Sequence, residues 1–412
     1  MTDSIQIRLP EAVSGIIETL QRAGFEAYAV GGCVRDSILG RCPDDWDITT
    51  SARPEQVKKV FGKTIDTGLQ HGTVTVMREH VGYEITTYRI DGEYEDARHP
   101  KEVAFTSDLK EDLRRRDFTI NAMAYSHETG IVDIFGGMKD LKEGVVRCVG
   151  NAVERFTEDA LRILRAIRFS AQLNFTIEDE TYAALTVIAP NLANVSKERI
   201  QAELTKTLLS DHPERILLVE ETGMSPYISA GFHSVFGTNI GRVREACMRA
   251  SGLPARKSLR WAAFLSYGGE DCAAQILKEL KMDNDTTDRV KTLVRWFSEE
   301  LQEDDCKVRE VMSSMEDGRF DELLLLKESL LPEEAAGTGR IRKTAEAVRS
   351  RGDCIRMRDM AVTGKDLIAA GVRPGPDMGN ILQRLFLYVL KHPECNEKEY
   401  LLNMAVKKDT EE

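Results

Sequence analysis

The hydrophobic pattern of this chain changes near residue 151, and that change constrains the fold more than any other feature. Before it, apolar residues alternate with polar ones in short runs such as 73–77 and 83–88, which is typical of half-buried strands. After it, long stretches such as 158–169 and 196–209 carry apolar residues at helical spacing. We therefore expect an α+β N-terminal part built on a mixed β-sheet, followed by an all-α remainder.

Two acids separated by one residue, Asp45 and Asp47, stand shortly after the glycine pair Gly31-Gly32. In a strand, which we expect over 46–49, side chains alternate, so both carboxylates lie on one face and repel unless a cation separates them. Mg²⁺ is usually held by one or two carboxylates together with substrate phosphates. Taken alone, the pair also fits a solvated strand end, because so short a motif recurs often.

The residues before the acids favour a phosphate site over a solvated strand end. Gly31 and Gly32 let the backbone approach a phosphate closely, and Arg35, followed by Asp36, can pair with it. A helix that opens near residue 34 would aim its free N-terminal amides at an anion. Together with the acids, these residues indicate a metal-dependent enzyme that acts on a nucleoside triphosphate.

Glu84 is the candidate third acid, on the predicted strand 83–88. If this strand neighbours the strand of Asp45 and Asp47, three carboxylates meet on one face of the sheet. Such a trio suits a reaction in which a hydroxyl attacks the α-phosphorus of a nucleotide and pyrophosphate leaves, with two metal ions assisting.

Two basic segments have both a functional and an ordinary interpretation. The run 114–117 ends in Arg116-Asp117, where arginines could meet a triphosphate or ribose with Asp117 orienting them, or it is a solvated helix end. On the predicted helix 158–169, Asp159 and Arg162 can supply the acceptor and the donor that match a base edge. Alternatively, Glu158 and Arg162, spaced i, i+4, form a surface ion pair of little energy.

Composition sets the limits of these interpretations. The formal net charge of −12 argues against general coating of nucleic acid, although local basic stripes remain compatible with it. We expect no membrane span, because no apolar run approaches about 18 residues, and no signal peptide, hence a cytoplasmic protein. The eight cysteines are scattered without zinc spacing, so we expect reduced thiols.

Several segments, in order, resemble the bacterial class II tRNA nucleotidyltransferases, or CCA-adding enzymes, of the polymerase β superfamily, which also includes poly(A) polymerases. The resemblance covers roughly residues 25–210 and returns at 363–367. It rests on these motifs: Val30-Gly31-Gly32-x-Val34-Arg35-Asp36, Asp45-x-Asp47-Ile48, Tyr83-Glu84-Ile85-Thr86-Thr87, Asp91-Gly92-x-Tyr94-x-Asp96, Arg115-Arg116-Asp117-Phe118-Thr119-x-Asn121-Ala122, Glu158-Asp159-x-x-Arg162 and Thr363-Gly364-Lys365-Asp366-Leu367.

The resemblance implies a nucleotidyltransferase head over 1–150, then a helical neck over 151–210, a body over 211–335 and a tRNA-binding tail over 336–412. It implies Mg²⁺ as cofactor and tRNA, CTP and ATP as partners. By their matching positions, the metal ligands are Asp45 and Asp47, with Glu84 as the third catalytic acid. The implied nucleotide-binding residues are Gly31, Gly32, Arg35 and Asp36 for phosphate, Arg116, Asp117 and Asn121 for ribose and nucleotide, Asp159 and Arg162 for base selection, and Arg165 and Arg168 for triphosphate or primer.

Related activities remain open at this point. Enzymes of the family that add only CC typically lack a flexible loop, and the loop 91–100 is present here. We expect addition of the whole CCA, with addition of A alone and poly(A) synthesis as alternatives. From outside this chemistry, a noncatalytic RNA-binding protein and a small-molecule nucleotidyltransferase are the competing hypotheses. The three acids argue against the first, and the long helical half argues against the second.

Overall fold

The computed structural model describes residues 6–91 and 103–406, so most of the predicted loop 91–100 lies outside the described residues. The chain forms two compact units, Met1–Thr238 with Glu279–Lys281, and Asn239–Lys278 with Met282–Glu412. The division into head, neck, body and tail stays a prediction. Within the described ranges, we find no helix that is both long and apolar enough to cross a membrane.

The first unit is organised around one mixed sheet. The strands in the described ranges are β1 (Ala27–Val30), β2 (Ile48–Thr50), β3 (Thr64–Gly68), β4 (Thr73–Arg78), β5 (Val81–Thr87), β6 (Arg89–Asp91), β7 (Val103–Phe105), β8 (Met123–Ser126), β9 (Gly130–Asp133), β10 (Val145–Val146) and β11 (Thr176–Ile177). Seven of these strands form the sheet in the order β3-β4-β5-β2-β1-β8-β9. Strands β2 and β5 run parallel, whereas β1 and β2, and β4 and β5, run antiparallel. The predicted mixed sheet is confirmed.

Strand β1 lies between β2 and β8 in the sheet, and all four of its side chains are buried. A strand that is covered on both faces tolerates an unbroken run of such residues, whereas a half-exposed strand needs alternation. Tyr28 and Val30 of β1 pack with Tyr88, Leu113 and Ala124 in the core of the first unit. The buried strand thereby anchors the glycine pair that directly follows it.

Helices make up most of the chain after the sheet. In the described ranges they are α1 (Glu11–Arg22), α2 (Gly32–Ile38), α3 (Pro54–Val60), α4 (Leu109–Arg114), α5 (Gly137–Glu143), α6 (Ala152–Glu158), α7 (Leu161–Leu173), α8 (Asp179–Ile188), α9 (Lys197–Leu208), α10 (Leu218–Glu221), α11 (Ser225–Ile228), α12 (Ala230–Ala250), α13 (Lys257–Leu265), α14 (Glu270–Glu279), α15 (Asn284–Phe297), α16 (Asp305–Ser313), α17 (Arg319–Leu330), α18 (Ala335–Arg351), α19 (Gly364–Ala369), α20 (Pro376–Lys391) and α21 (Lys398–Val406). The predicted helical remainder is confirmed, with the two-residue strand β11 inside it.

Two differences between predicted and observed element boundaries affect the candidate site. The strand expected over 46–49 begins only at Ile48, so the acids stand just before it. The helix expected over 158–169 is interrupted, because Asp159 has extended backbone angles, φ −142° and ψ 100°, and a new helix begins at Leu161. The apolar spacing continues across this break, which is why periodicity alone joined the two helices.

Candidate active site

Gly31 forms the turn between β1 and α2, with φ 83° and ψ −128°. Few residues other than glycine adopt this conformation. A Cβ atom at Gly31 would lie 2.7 Å from Nη1 of Arg116, so the guanidinium occupies the space that a side chain would need. Gly32 is ordinary helix, and its nearest neighbour for a Cβ is Nη2 of Arg35 at 3.7 Å. The two glycines therefore have different roles: Gly31 admits Arg116, and Gly32 opens α2.

Asp47 is held next to this turn by the sheet. The N–H of Val30 donates to the carbonyl of Asp47 at 3.0 Å, which extends the pairing of β1 and β2 by one residue. Both Asp45 and Asp47 have exposed surface, and both line one cleft together with Gly32. The acids therefore lie in one cleft with the start of α2, although they precede the strand that was expected to carry them.

The environment of Asp47 favours a bound cation. Protein packed around its carboxylate removes water and raises its pKa, Arg116 lowers it, and Asp45 adds to the rise. A carboxylate that is partly desolvated and close to a second carboxylate gains stability when a divalent cation binds both. The oxygen donors of Asp45 and Asp47 therefore fit a hard metal ion.

Glu84 lies on the neighbouring strand. Strands β2 and β5 run parallel with Ile48 opposite Ile85, so Asp47 and Glu84, each one residue earlier, are neighbours on the opposite face. Glu84 is not among the described residues that line the cleft. Across the described chain, no three His, Cys, Asp or Glu side chains are grouped to hold a metal ion. The role of Glu84 as third acid stays a prediction.

Arg35 begins a chain of hydrogen bonds through the first unit. Its Nε and Nη2 donate to the two carboxylate oxygens of Asp36 at 2.9 and 2.8 Å. Its Nη1 donates to Oδ1 of Asn121 at 2.6 Å, and Nδ2 of Asn121 donates to Asp117 at 3.1 Å. Asp117 in turn accepts from Nε of Arg165 at 2.7 Å. Five predicted site residues are thus joined in one network.

Asp117 is the buried anion of this network. Burial raises its pKa, but Arg165 and the hydrogen bond from Asn121 outweigh that effect, and the pKa falls to about 2. It remains ionised at any physiological pH and holds Arg165 and Asn121 in place. Asp117 is only 7% exposed, so the alternative of a solvated helix end does not hold for it, whereas Arg114, the last residue of α4, is exposed.

Arg116 lies over the glycine turn. Its Nη2 is 3.8 Å from Asp112, a fully buried carboxylate, and burial lowers its pKa. Its Nε is buried, and no hydrogen-bond partner for it is found among the described residues. The guanidinium is therefore less completely satisfied than that of Arg35, which leaves hydrogen-bonding capacity beside the turn.

The helix break at Asp159 separates two ion pairs. Arg162 donates to Glu158 at 2.7 Å and also to the carbonyl oxygens of Arg155 and Arg115. Asp159 accepts from Arg199 of α9 at 2.7 Å and from the N–H of Leu161 at 3.1 Å. The i, i+4 pair of Glu158 and Arg162 expected from spacing forms, but Arg162 is only 9% exposed, so it is not a surface pair.

Phe169 organises the remaining arginines. The guanidinium carbons of Arg35, Arg165 and Arg168 lie 5.0, 5.4 and 4.0 Å from its ring centroid, within the range of cation–π attraction. Nε of Arg168 also donates to Glu203 of α9 at 2.5 Å. Sequence reasoning missed Glu203 and Phe169 as site residues, because their partners are far away in the chain or looked like core.

The cleft has a volume of about 580 Å³ and combines residues from three regions of the first unit. Six predicted site residues line it: Gly32, Arg35, Asp36, Asp45, Asp47 and Arg168. Arg116, Asp117, Asn121 and Arg165 join it through the contacts described above rather than as lining residues. Sequence reasoning also missed Arg41, Gln172 and Lys206, which line the cleft.

The mixed sheet, the glycine turn and the paired acids define the class of protein, a nucleotidyltransferase. The family model for the Poly A polymerase head domain matches residues 27–147. The model for the Probable RNA and SrmB-binding site of polymerase A matches 174–233, and that for tRNA nucleotidyltransferase domain 2 matches 255–405.

Full-length relatives narrow the class to one family. The CCA-adding enzyme of Leuconostoc mesenteroides is 36% identical over 95% of this chain and 94% of its own, and that of Levilactobacillus brevis is 37% identical over 95% and 96%. A crystal structure of the Bacillus stearothermophilus CCA-adding enzyme in complex with CTP is similar with a TM-score of 0.80, 31% identity and 97% coverage of both chains. The chain belongs to the CCA-adding enzyme family of tRNA nucleotidyltransferases.

Membership of this family confirms the predicted fold class and the predicted enzyme class. It also indicates a requirement for a divalent metal ion.

Proposed function

We propose that this enzyme adds C, C and A in turn to the 3′ end of tRNA, with CTP and ATP as donors and pyrophosphate as the second product. One observation carries the proposal. A cleft lined by Asp45, Asp47 and Gly32 lies in a chain that is similar, over 95% of its length, to CCA-adding enzymes. In the reaction, the terminal tRNA hydroxyl attacks the α-phosphorus, and the bond from that phosphorus to its bridging oxygen breaks.

Asp45 and Asp47 are proposed as the ligands of Mg²⁺. Their support is the donor set, two carboxylates in one cleft, with the pKa of Asp47 raised by the surrounding protein and by Asp45. Mg²⁺ prefers such oxygen ligands together with substrate phosphates. When bound, it would supply positive charge that stabilises the attacking and leaving oxygens. Glu84, next to Asp47 in register, is proposed as the third acid.

The phosphates and the sugar are proposed to bind along the arginine network. The Gly31-Gly32 backbone, with Arg35 and Asp36, would hold the phosphates, because a backbone without side chains admits close approach. Arg116, with Asp117 and Asn121 behind it, would contact the nucleotide and its ribose; its buried Nε, for which no partner is described, supports this role. Arg165 and Arg168 are proposed to contact triphosphate or primer.

Asp159 and Arg162 are proposed to select the base, since one accepts and the other donates hydrogen bonds. Asp159 at the helix break and Arg162 in the first turn of α7 are three residues apart, and this proximity supports the role. In the structure both side chains are occupied, Asp159 by Arg199 and Arg162 by Glu158. A base would therefore exchange partners with these ion pairs, and their geometry would decide which edge fits.

The proposed division of labour gives the head over 1–150 the chemistry, the neck over 151–210 the base selection, and the body over 211–335 with the tail over 336–412 the tRNA. The solved relative from Thermotoga maritima is a complex with tRNA. At 20% identity and a TM-score of 0.65, it supports the fold of this chain. The tRNA-binding role of the helical half is our proposal.

The deciding experiment supplies the full-length enzyme with tRNA that ends before CCA, labelled CTP, labelled ATP and Mg²⁺. We expect addition of two C residues and one A. Addition of ATP only, and only to tRNA that ends in CC, would establish the A-adding alternative. Extension of unrelated RNA by many A residues would establish poly(A) synthesis. Absence of all incorporation in the presence of the metal would refute the proposal.

A further inference from the structure

Two basic side chains in the cleft have no assigned role. Arg41 follows Gly40, whose φ of 69° ends α2, and the N–H of Arg41 donates to the carbonyl of Asp36 at 2.8 Å. Lys206 belongs to the last turn of α9. Both residues are exposed, and both line the cleft that contains Asp45 and Asp47.

The other cations of the cleft are already neutralised. The guanidinium of Arg35 is bound by Asp36 with two hydrogen bonds, and that of Arg168 is bound by Glu203. Arg41, by contrast, donates to the main-chain carbonyl of Gln172 at 3.2 Å, and no ion pair for it is found in the described ranges. For the ammonium group of Lys206, the described residues provide neither a hydrogen bond nor an ion pair.

Secondary structure holds the two cations on the same side of the cleft as Arg168. Gln172 connects Arg41 with Arg168, because its carbonyl accepts from Arg41 and its side-chain oxygen accepts from Arg168 at 2.9 Å. Glu203 and Lys206 are spaced i, i+3 on α9, so they lie on the same helix face. Because Glu203 binds Arg168, this helix face lies towards Arg168, and Lys206 lines the cleft on the same side.

We propose that Arg41 and Lys206 form a second phosphate-binding pair, which contacts the β- and γ-phosphates of the incoming nucleoside triphosphate and retains pyrophosphate as it leaves. This inference rests on the proposed function. The cleft holds the candidate metal ligands, and a metal held by two carboxylates is shared with nucleotide phosphates. Asp159 and Arg162 are not among its described lining residues, so the base is placed elsewhere.

The cleft contains acids as well as basic side chains. Asp44 and Asp211 also line it, so the cleft has no general excess of positive charge. Without such an excess, the overall electrostatic field of the cleft would not attract a triphosphate strongly. Arg41 and Lys206 instead supply local hydrogen-bond donors whose charge is not already matched by a carboxylate, and such charge-assisted bonds are the strong ones.

The test uses full-length enzyme with Lys206→Met and Arg41→Gln, singly and combined. We expect each single change to raise KM for CTP and for ATP about fivefold and the double change more than tenfold, with kcat changed less than about twofold. The inhibition constant for added pyrophosphate should rise in parallel. Equal effects on CTP and ATP are required, because the phosphates are common to both.

Lys142→Met is the matched control, because it removes an exposed lysine of the same unit from α5, which does not line the cleft. Lys206→Arg should restore a KM within about twofold of the unchanged enzyme, since it keeps a donor of the same charge. Thermal melting of each variant identifies misfolding. If one single variant misfolds, the other still tests the inference.

Unchanged nucleotide KM in both folded single variants would overturn the inference. A rise of KM for tRNA with unchanged nucleotide KM would also overturn it and assign the pair to the RNA. Either result would leave the proposed function intact, because the unchanged enzyme would still add CCA. Failure of the unchanged enzyme to incorporate CTP or ATP would instead refute the proposed function.

Discussion

Replacing Gly31 by alanine tests the close contact between the glycine turn and Arg116. The backbone at Gly31 has φ 83° and ψ −128°, a combination that disfavours any residue with a Cβ atom. The new methyl group would stand 2.7 Å from Nη1 of Arg116, and real Cβ contacts are essentially never below 3.0 Å. Either the turn or the guanidinium must therefore move.

The expected loss of stability has two parts. An unfavourable backbone conformation costs about 1–3 kcal/mol. Displacing a buried guanidinium from its surroundings adds about 1 kcal/mol, of the order of one hydrogen bond. For a unit of this size, a total of roughly 2–4 kcal/mol lowers the melting temperature by about 5–10 °C.

The neighbouring glycine provides the control. Gly32 has helical backbone, and a Cβ there would meet Nη2 of Arg35 at 3.7 Å, an ordinary van der Waals contact. Because alanine is the better helix former by about 1 kcal/mol, Gly32→Ala should melt at or slightly above the temperature of the unchanged protein. The assay is thermal unfolding of the full-length protein, followed by circular dichroism or scanning calorimetry at neutral pH.

The comparison of the two variants decides the argument. If Gly31→Ala melted within about 1 °C of Gly32→Ala, the strain derived from φ and from the Arg116 contact would be absent, and the reasoning would be wrong. If Gly31→Ala were destabilised as expected, the double variant Gly31→Ala with Arg116→Ala should recover the part of the loss caused by the clash. The backbone part should remain.

Three further outcomes are expected. The pKa of Asp117 is lowered to about 2, so the stability that its ionised form confers is present above about pH 4, and about 2 kcal/mol of it is lost as pH falls towards 2. Urea unfolding of the unchanged protein and of Asp117→Asn over this pH range measures the loss. Parallel pH profiles of the two proteins would contradict the prediction. Asp47→Asn should abolish transfer while tRNA affinity, measured by filter binding, stays within about threefold. Arg162→Ala should change the ratio of C to A incorporation more than the metal requirement, and unchanged rate and selectivity would refute its role.

The sequence predicts the local part of the site well. The glycine turn and the helix that follows it agree with the prediction from the sequence, whereas the acids lie just before the strand that was expected to carry them. The ion pair of Glu158 and Arg162 is likewise predictable from their i, i+4 spacing, and it forms in the structure. In each case the partners are close in the chain, so spacing determines which side chains share a face.

Long-range partners could not be predicted in this way. Arg165 and Asp117 are 48 residues apart, and Arg35 and Asn121 are 86 apart, so only packing of the helices against the sheet brings them together. The family resemblance assigned these residues to one site without saying what they contact. The boundary errors at Asp47 and Asp159 have a different cause, since apolar spacing alone does not determine where an element begins or ends.

The arginines of α7 change the meaning of the basic stripe that spacing suggested. Arg162, Arg165 and Arg168 are bound by Glu158, Asp117 and Glu203, each carboxylate from a different segment. These pairs fix the three guanidinium groups before any nucleotide arrives, so less side-chain entropy is lost on binding. They also reduce the free positive charge, so affinity for an anion must come from aligned donors and from cations such as Lys206 that have no such partner among the described residues. A stripe of arginines in an acidic chain is therefore better understood as a set of oriented hydrogen-bond donors than as an electrostatic field.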